Sequence, residues 1–153
     1  MTDTFDEIDR AILAELQRDA GRSVEAVADA VHLSRNACWR RIKVLEAAGV
    51  IRGRVALLDP EKLGCPLMAV VQVRTSRHDG DWRQEFRRAV RAMPEITAAY
   101  RMTGDLDYLL HVRLADMAAY DRFYRDLTSR IAVSDMSASF VMEELRDSPA
   151  LPL

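Results

Sequence analysis

Between Leu33 and Leu58 the stretch LSRNACWRRIKVLEAAGVIRGRVALL gathers cationic and hydrogen-bonding side chains on one short segment. Arg35, Arg40, Arg41, Lys43, Arg52 and Arg54 face a single acid, Glu46, whereas the residues before Leu33 hold three basic and eight acidic side chains. The whole chain has a formal charge of only −2, so the block is a local field, and its natural partner is a phosphate backbone. Arg40, Arg41, Lys43, Arg52 and Arg54 suit phosphates, contacts that give affinity and salt dependence without choosing a sequence. Arg35 and Asn36 suit base edges, arginine for guanine and asparagine for adenine. Arg54 can also enter a minor groove. Trp39 can stack on sugar-phosphate or pack beside the following segment. Arg41 lies next to an apolar stripe and can brace its helix instead of touching DNA.

A second group with chemistry is Gly104-Asp105-Leu106-Asp107. Gly104 permits positive φ, and the two carboxylates can accept hydrogen bonds from a ligand ammonium. The bland alternative is a plain hairpin turn. Ser137 and Ser139 are small polar residues on a predicted strand. Cys38 reads as a small buried hydrophobe; the sharper alternative is a thiol sensor near a helix N-terminus and arginines. Cys65 reads as incidental. His32, His78 and His111 are scattered, so the sequence offers no metal site, no cofactor and no catalytic histidine set.

These residues need elements to hold them. Phe5, Ile8, Ile12 and Leu16 recur at helical spacing, which predicts a helix over about 5–18. Ser23 can cap a second helix with Val24, Val27, Ala28 and Val31 on its apolar side. His32-Leu33 is a short turn. Ser34 can cap a third helix to about Ala48, with Gly49 at its left-handed stop. Cys38, Ile42 and Leu45 then face the core, and Arg35, Asn36, Trp39, Arg40 and Lys43 face outward. Val50 to Leu58 alternates loosely and predicts a strand pair or wing. The whole is a winged helix-turn-helix.

Asp59-Pro60-Glu61-Lys62-Leu63-Gly64 breaks the pattern. The expected organisation is a DNA-binding domain over 1–59, a linker over 60–65 and a second domain over 66–153. In the latter, strands are expected at 67–75, 96–103, 108–114 and 136–145. Helices are expected through Trp82, Phe86, Val90 and Met93, capped by Asp81, and through Met117 to Ile131, capped by Asp116. The order βαββαβ makes the domain ferredoxin-like, and the whole fold class α+β. Leu67 to Val71, Leu109-Leu110 and Phe140 to Met142 are apolar at both parities, so the sheet face without helices needs a cover. A second subunit would supply it, giving a twofold dimer and two recognition helices about one DNA turn apart.

A hydrophobic content of 49% is ample for packed cores. No apolar run is long enough for a transmembrane helix, and the acidic MTDTFDEIDR start is unlike a signal peptide. The expected setting is the cytoplasm, in association with the nucleoid.

The chain resembles the Lrp/AsnC family of transcription regulators over essentially its whole length. The resemblance rests on IDRAILAELQRDAGRS, LSRNACWRRIKVLEAAGVI, ALLDPEKLG, MTGDLDYLLHV and SFVMEEL, in this order. It implies an N-terminal winged helix-turn-helix binding double-stranded DNA through residues including Ser34. It also implies a ligand-sensing domain, dimers that assemble to octamers, and an amino acid effector. By the same resemblance Met102, Thr103, Gly104, Asp105 and Asp107, with Ser137 and Ser139, line the effector cleft. Leu106 departs from the family pattern, where an aromatic or other residue often stands. Cys38-Trp39, VALLDPEKLG and SASFVMEEL look like the branch of cysteine-responsive regulators, which points to a sulfur amino acid. Two other readings compete: an architectural DNA-binding protein of low specificity, and a tetrapyrrole decarboxylase of similar fold. The basic helix and the absence of a histidine cluster speak against an enzyme.

Overall fold

The structure is a computed structural model that describes residues 5–153. Contacts divide the chain into two units, one running to Leu57 and taking in Arg146–Leu153, the other spanning Leu58–Leu145.

The first unit is built from α1 (Glu7–Arg18), α2 (Val24–Ala30) and α3 (Arg35–Ala47). Each begins at a side-chain cap that satisfies an otherwise unpartnered N–H. Asp6 accepts from the Asp9 N–H, and the Asp9 carboxylate accepts from the Asp6 N–H in return, a reciprocal capping box. Ser23 accepts from the Ala26 N–H and Ser34 from the Ala37 N–H. Ile12, Val27, Ala28, Cys38, Ile42 and Leu45 form the core, each no more than 3% exposed. Between α2 and α3 the chain turns at His32, whose φ of 56° is left-handed. The Leu33 N–H donates to the Ala28 carbonyl at 2.9 Å and closes the end of α2.

The expected strand pair at 50–58 does not form within the chain. Gly53 to Leu58 is irregular, and Val55, Leu57 and Leu58 are strongly exposed. Alternating residues make a strand only where a neighbouring strand takes up their N–H and C=O groups, and among the described residues none pairs with this segment. Residues 146–153, assigned by sequence to the second domain, group with the first unit. There the Leu151 N–H donates to Gln17 Oε1 at 2.6 Å, and Gln17 Nε2 donates back to the Leu151 carbonyl at 3.2 Å.

The second unit comprises β1 (Leu67–Arg74), α4 (Gly80–Ala92), β2 (Ile96–Arg101), β3 (Tyr108–Leu114), α5 (Met117–Arg130) and β4 (Asp135–Phe140). The sheet is antiparallel in the order β2-β3-β1-β4, the ferredoxin-like arrangement. Both helices pack on one face, where Ala69, Val71, Val73, Leu110, Val112 and Leu114 meet Trp82, Phe86, Phe123 and Leu127. Three expected boundaries move. Asp79, not Asp81, caps α4 by accepting the Trp82 N–H at 2.8 Å. Here α4 begins at Gly80, so the extended residue ahead of it takes the cap and Asp81 falls in the first turn. β2 stops at Arg101 rather than Thr103, and β4 at Phe140 rather than Leu145.

The sheet face away from the helices follows from the register. It presents Met68, Val70 and Leu109, and Tyr100 stands edge-on to His111. Gln72, Arg74, Arg113, Ser137 and Ser139 make the same face partly polar. It is therefore mixed, not uniformly apolar, because the polar residues interleave at the same parity.

Candidate nucleic-acid interface and effector turn

Helix α3 sorts the basic block by direction. Its inward side carries Cys38, Ile42 and Leu45. Its outward side exposes Arg35, Asn36, Trp39, Arg40 and Lys43 beside the cap residue Ser34. Trp39 is half exposed and takes no part in the core.

The ion pairs divide the block further. The Arg41 guanidinium donates to Asp6 Oδ2 and Asp9 Oδ1, both at 2.8 Å. It therefore braces α3 against the start of α1, the bracing role that the sequence offers beside a phosphate contact. The Asp9 backbone N–H, and after it Arg41, hold the Asp6 carboxyl below its ordinary value; the two carboxylates in turn raise Arg41. Glu46 holds Lys43 at 2.8 Å and Arg54 at 3.1 Å, and the Lys43 hydrogen bond leads in lowering its pKa. Among the described residues, Arg35, Arg40 and Arg52 have no carboxylate partner. Sequence reasoning missed the double role of Glu46, although its standing as the one acid in the block was the available signal. Burial pushes the Cys38 thiol up, so it holds little thiolate.

In the second unit, Gly104 has a φ of 99°, as a turn glycine should. The Met102 N–H donates to the Asp107 carbonyl at 2.8 Å, closing the turn. The Asp107 carboxylate accepts the Thr75 N–H at 2.8 Å and lies 3.7 Å from His78 Nδ1. It thus ties the turn to the end of β1. Asp105 is exposed, and its carboxylate has no partner among the described residues. Its carbonyl accepts from Arg74 Nε at 3.0 Å, and Arg74 also donates to Asp135 at 3.2 Å. Ser137 lies near this end of the sheet, opposite Gln72, whereas Ser139 sits farther along, opposite Val70. The structure brings together Met102, Thr103, Gly104, Asp105 and Asp107, adds Arg74, and leaves Ser139 apart. Arg74 was not legible because only strand pairing places it beside both the turn and β4.

Among the described residues no group of three metal-binding side chains occurs, and no helix is long and apolar enough to cross a membrane.

Residues 5–52 match the winged helix-turn-helix DNA-binding model, and residues 68–151 match the Lrp/AsnC ligand binding domain model. The chain belongs to the Lrp/AsnC family. Its relatives include the glutamate uptake regulatory protein of Zymomonas mobilis, 46% identical over 97% of this chain and 91% of that protein. The DNA-binding transcriptional activator DecR of Escherichia coli is 44% identical over 97% of this chain and 99% of its own length. Among solved structures, a transcriptional regulator of Neisseria meningitidis in complex with L-Met superposes with a TM-score of 0.92. It is 37% identical and covers 97% of both chains. This Lrp/AsnC protein is a DNA-binding transcription regulator and not an enzyme, so the decarboxylase alternative falls.

Proposed function

We propose that this chain regulates genes of amino acid metabolism by binding a specific operator, with an amino acid effector that alters that binding. The observation that carries the DNA side is the exposed, carboxylate-free set Arg35, Asn36, Arg40 and Arg52, the first three presented by a capped and braced α3 and Arg52 by the segment after it. Arg35 and Asn36 read base edges; Ser34, Trp39, Arg40, Lys43, Arg52 and Arg54 engage the backbone. The DNA-binding part spans about 1–59, and 66 onward carries sensing and assembly.

The effector turn supports an α-amino acid ligand. The free Asp105 carboxylate accepts its ammonium, and Arg74 keeps guanidinium N–H donors for its carboxylate. Met102, Thr103 and Gly104 shape the wall, Asp107 fixes the turn, and Ser137 and Ser139 offer hydroxyls. The L-Met complex of the Neisseria relative favours a sulfur amino acid, methionine or cysteine. Met68, Val70, Leu109 and Tyr100 on the open sheet face favour a twofold partner, with further assembly to an octamer. The protein acts in the cytoplasm, on the nucleoid.

The test is a thermal-shift screen of the protein-forming amino acids, followed by selection of bound duplexes with and without the best ligand. Effector and operator should each tighten or weaken the other by the same factor. Asp105→Ala should abolish the shift. An unaltered dose response would reject the turn, and equal affinity for all duplexes would support an architectural protein instead.

A further inference from the structure

Helix α4 carries charge that neither its cap nor its core face uses. Arg83, Arg87 and Arg91 stand at i, i+4 and i+8, which places them along one side. Arg101, at the end of β2, is paired with Tyr108, whose ring packs on Trp82 and Phe86, so it lies on the helix side of the sheet. These four arginines line one open cavity of about 190 Å³, with Phe86 and Tyr108 among its walls, and no acid lines it. Elsewhere in the same unit Arg74, Arg77, Arg113, Arg125 and Arg130 each hold a carboxylate, while Arg88 and Arg122, outside the cavity, hold none among the described residues. Among the described residues none of the four cavity arginines holds one.

We propose that this cavity is a second ligand site, for a small molecule carrying several closely spaced anionic groups, an oligophosphate or a polycarboxylate. Four like charges around one space repel each other, and a multivalent anion removes that cost. Guanidinium forks suit both phosphate and carboxylate through paired hydrogen bonds. The cavity has the volume of roughly six waters, room for a triphosphate or tricarboxylate. An α-amino acid fits poorly, because its ammonium would meet arginines and no acceptor. The site is thus separate in chemistry and in residues from the turn at Gly104.

The experiment titrates the full-length protein calorimetrically with tripolyphosphate, citrate and glutamate at about 0.15 M salt. Expected is saturable binding of tripolyphosphate or citrate with a dissociation constant below about 1 mM, with the tighter of the two naming the source, and none of glutamate. Arg87→Gln with Arg91→Gln should weaken it by about tenfold or more, while Arg40→Gln leaves it unchanged. Glutamine keeps helix propensity, and without ligand the double variant should melt no lower than the parent. If it melts lower, Arg101→Gln provides the same comparison from the strand. Absence of saturation, glutamate binding as tight as citrate, or no effect of the cavity variants would overturn the proposal. So would a loss on Arg40→Gln, which assigns the anion to α3, or a parallel loss of duplex affinity in the double variant, which assigns the stripe to DNA.

Discussion

Arg40 and Arg41 are neighbours in sequence with opposite surroundings. Arg40 is exposed and has no carboxylate partner among the described residues; Arg41 sits between Asp6 and Asp9. Arg40→Ala should therefore weaken binding to all duplexes and reduce the salt slope by about one unit. Arg41→Ala should instead lower the melting temperature of the first unit, with little change in slope, because a brace is lost and no phosphate contact with it. Titrating duplex affinity against salt for both variants, beside thermal melts, checks the pair. The sequence could not show the brace at Arg41 for a physical reason: its partners lie 32 and 35 residues away, at a separation no local pattern reveals.

At the scale of elements, Glu46 links α3 to the segment after it by holding both Lys43 and Arg54. The two cations are partly neutralised by this one acid. Glu46→Gln should tighten binding to duplexes of any sequence and steepen the salt dependence by roughly one to two units, as measured by fluorescence anisotropy over a salt series. In the second unit α5 seals the sheet through Phe123 and Leu127, the latter fully buried. Leu127→Ala should cost about 2–5 kcal/mol by lost transfer energy and a residual cavity, measured by denaturant unfolding. Every helix of both units was legible from its apolar period, α2, α3 and α5 from their caps as well, and so was the βαββαβ order. The cap of α4 shifted from Asp81 to Asp79 because two aspartates flank its start and both satisfy the sequence rule. The strand expected at 50–58 failed because a strand needs a partner outside itself.

At the scale of the whole molecule, several carboxylates are held below their ordinary values. Asp6 is lowered chiefly by the Asp9 N–H, Glu46 by Lys43, Asp59 by Lys62 and Asp79 by the Trp82 N–H. The folded state therefore favours their charged forms. Their stabilisation is complete above the ordinary carboxylate range and is lost as pH falls below about 4, where the unfolded chain takes up protons more readily. Melting temperature should be flat through neutral pH and fall on acidification, with the first unit losing its capping box and Arg41 brace together. Because these groups are exposed, about 1 M salt should shrink the effect; an acid limb insensitive to salt would contradict it.

By itself the sequence determined the two-part α+β organisation, the outward face of α3, the turn at Gly104 and the family. All of these depend on local period, cap chemistry and charge segregation, which act over a few residues. Tertiary structure alone decided which of those charges are free. It tied Arg41 to α1, halved the charge of the Lys43–Arg54 pair through Glu46, and gave the Asp107 carboxylate the Thr75 N–H. It also carried the tail at 146–153 back to Gln17, and gathered Arg83, Arg87, Arg91 and Arg101 around one cavity. A charge acts through its nearest counter-charge, and for most of these residues that neighbour is set by the fold and not by the order of the chain.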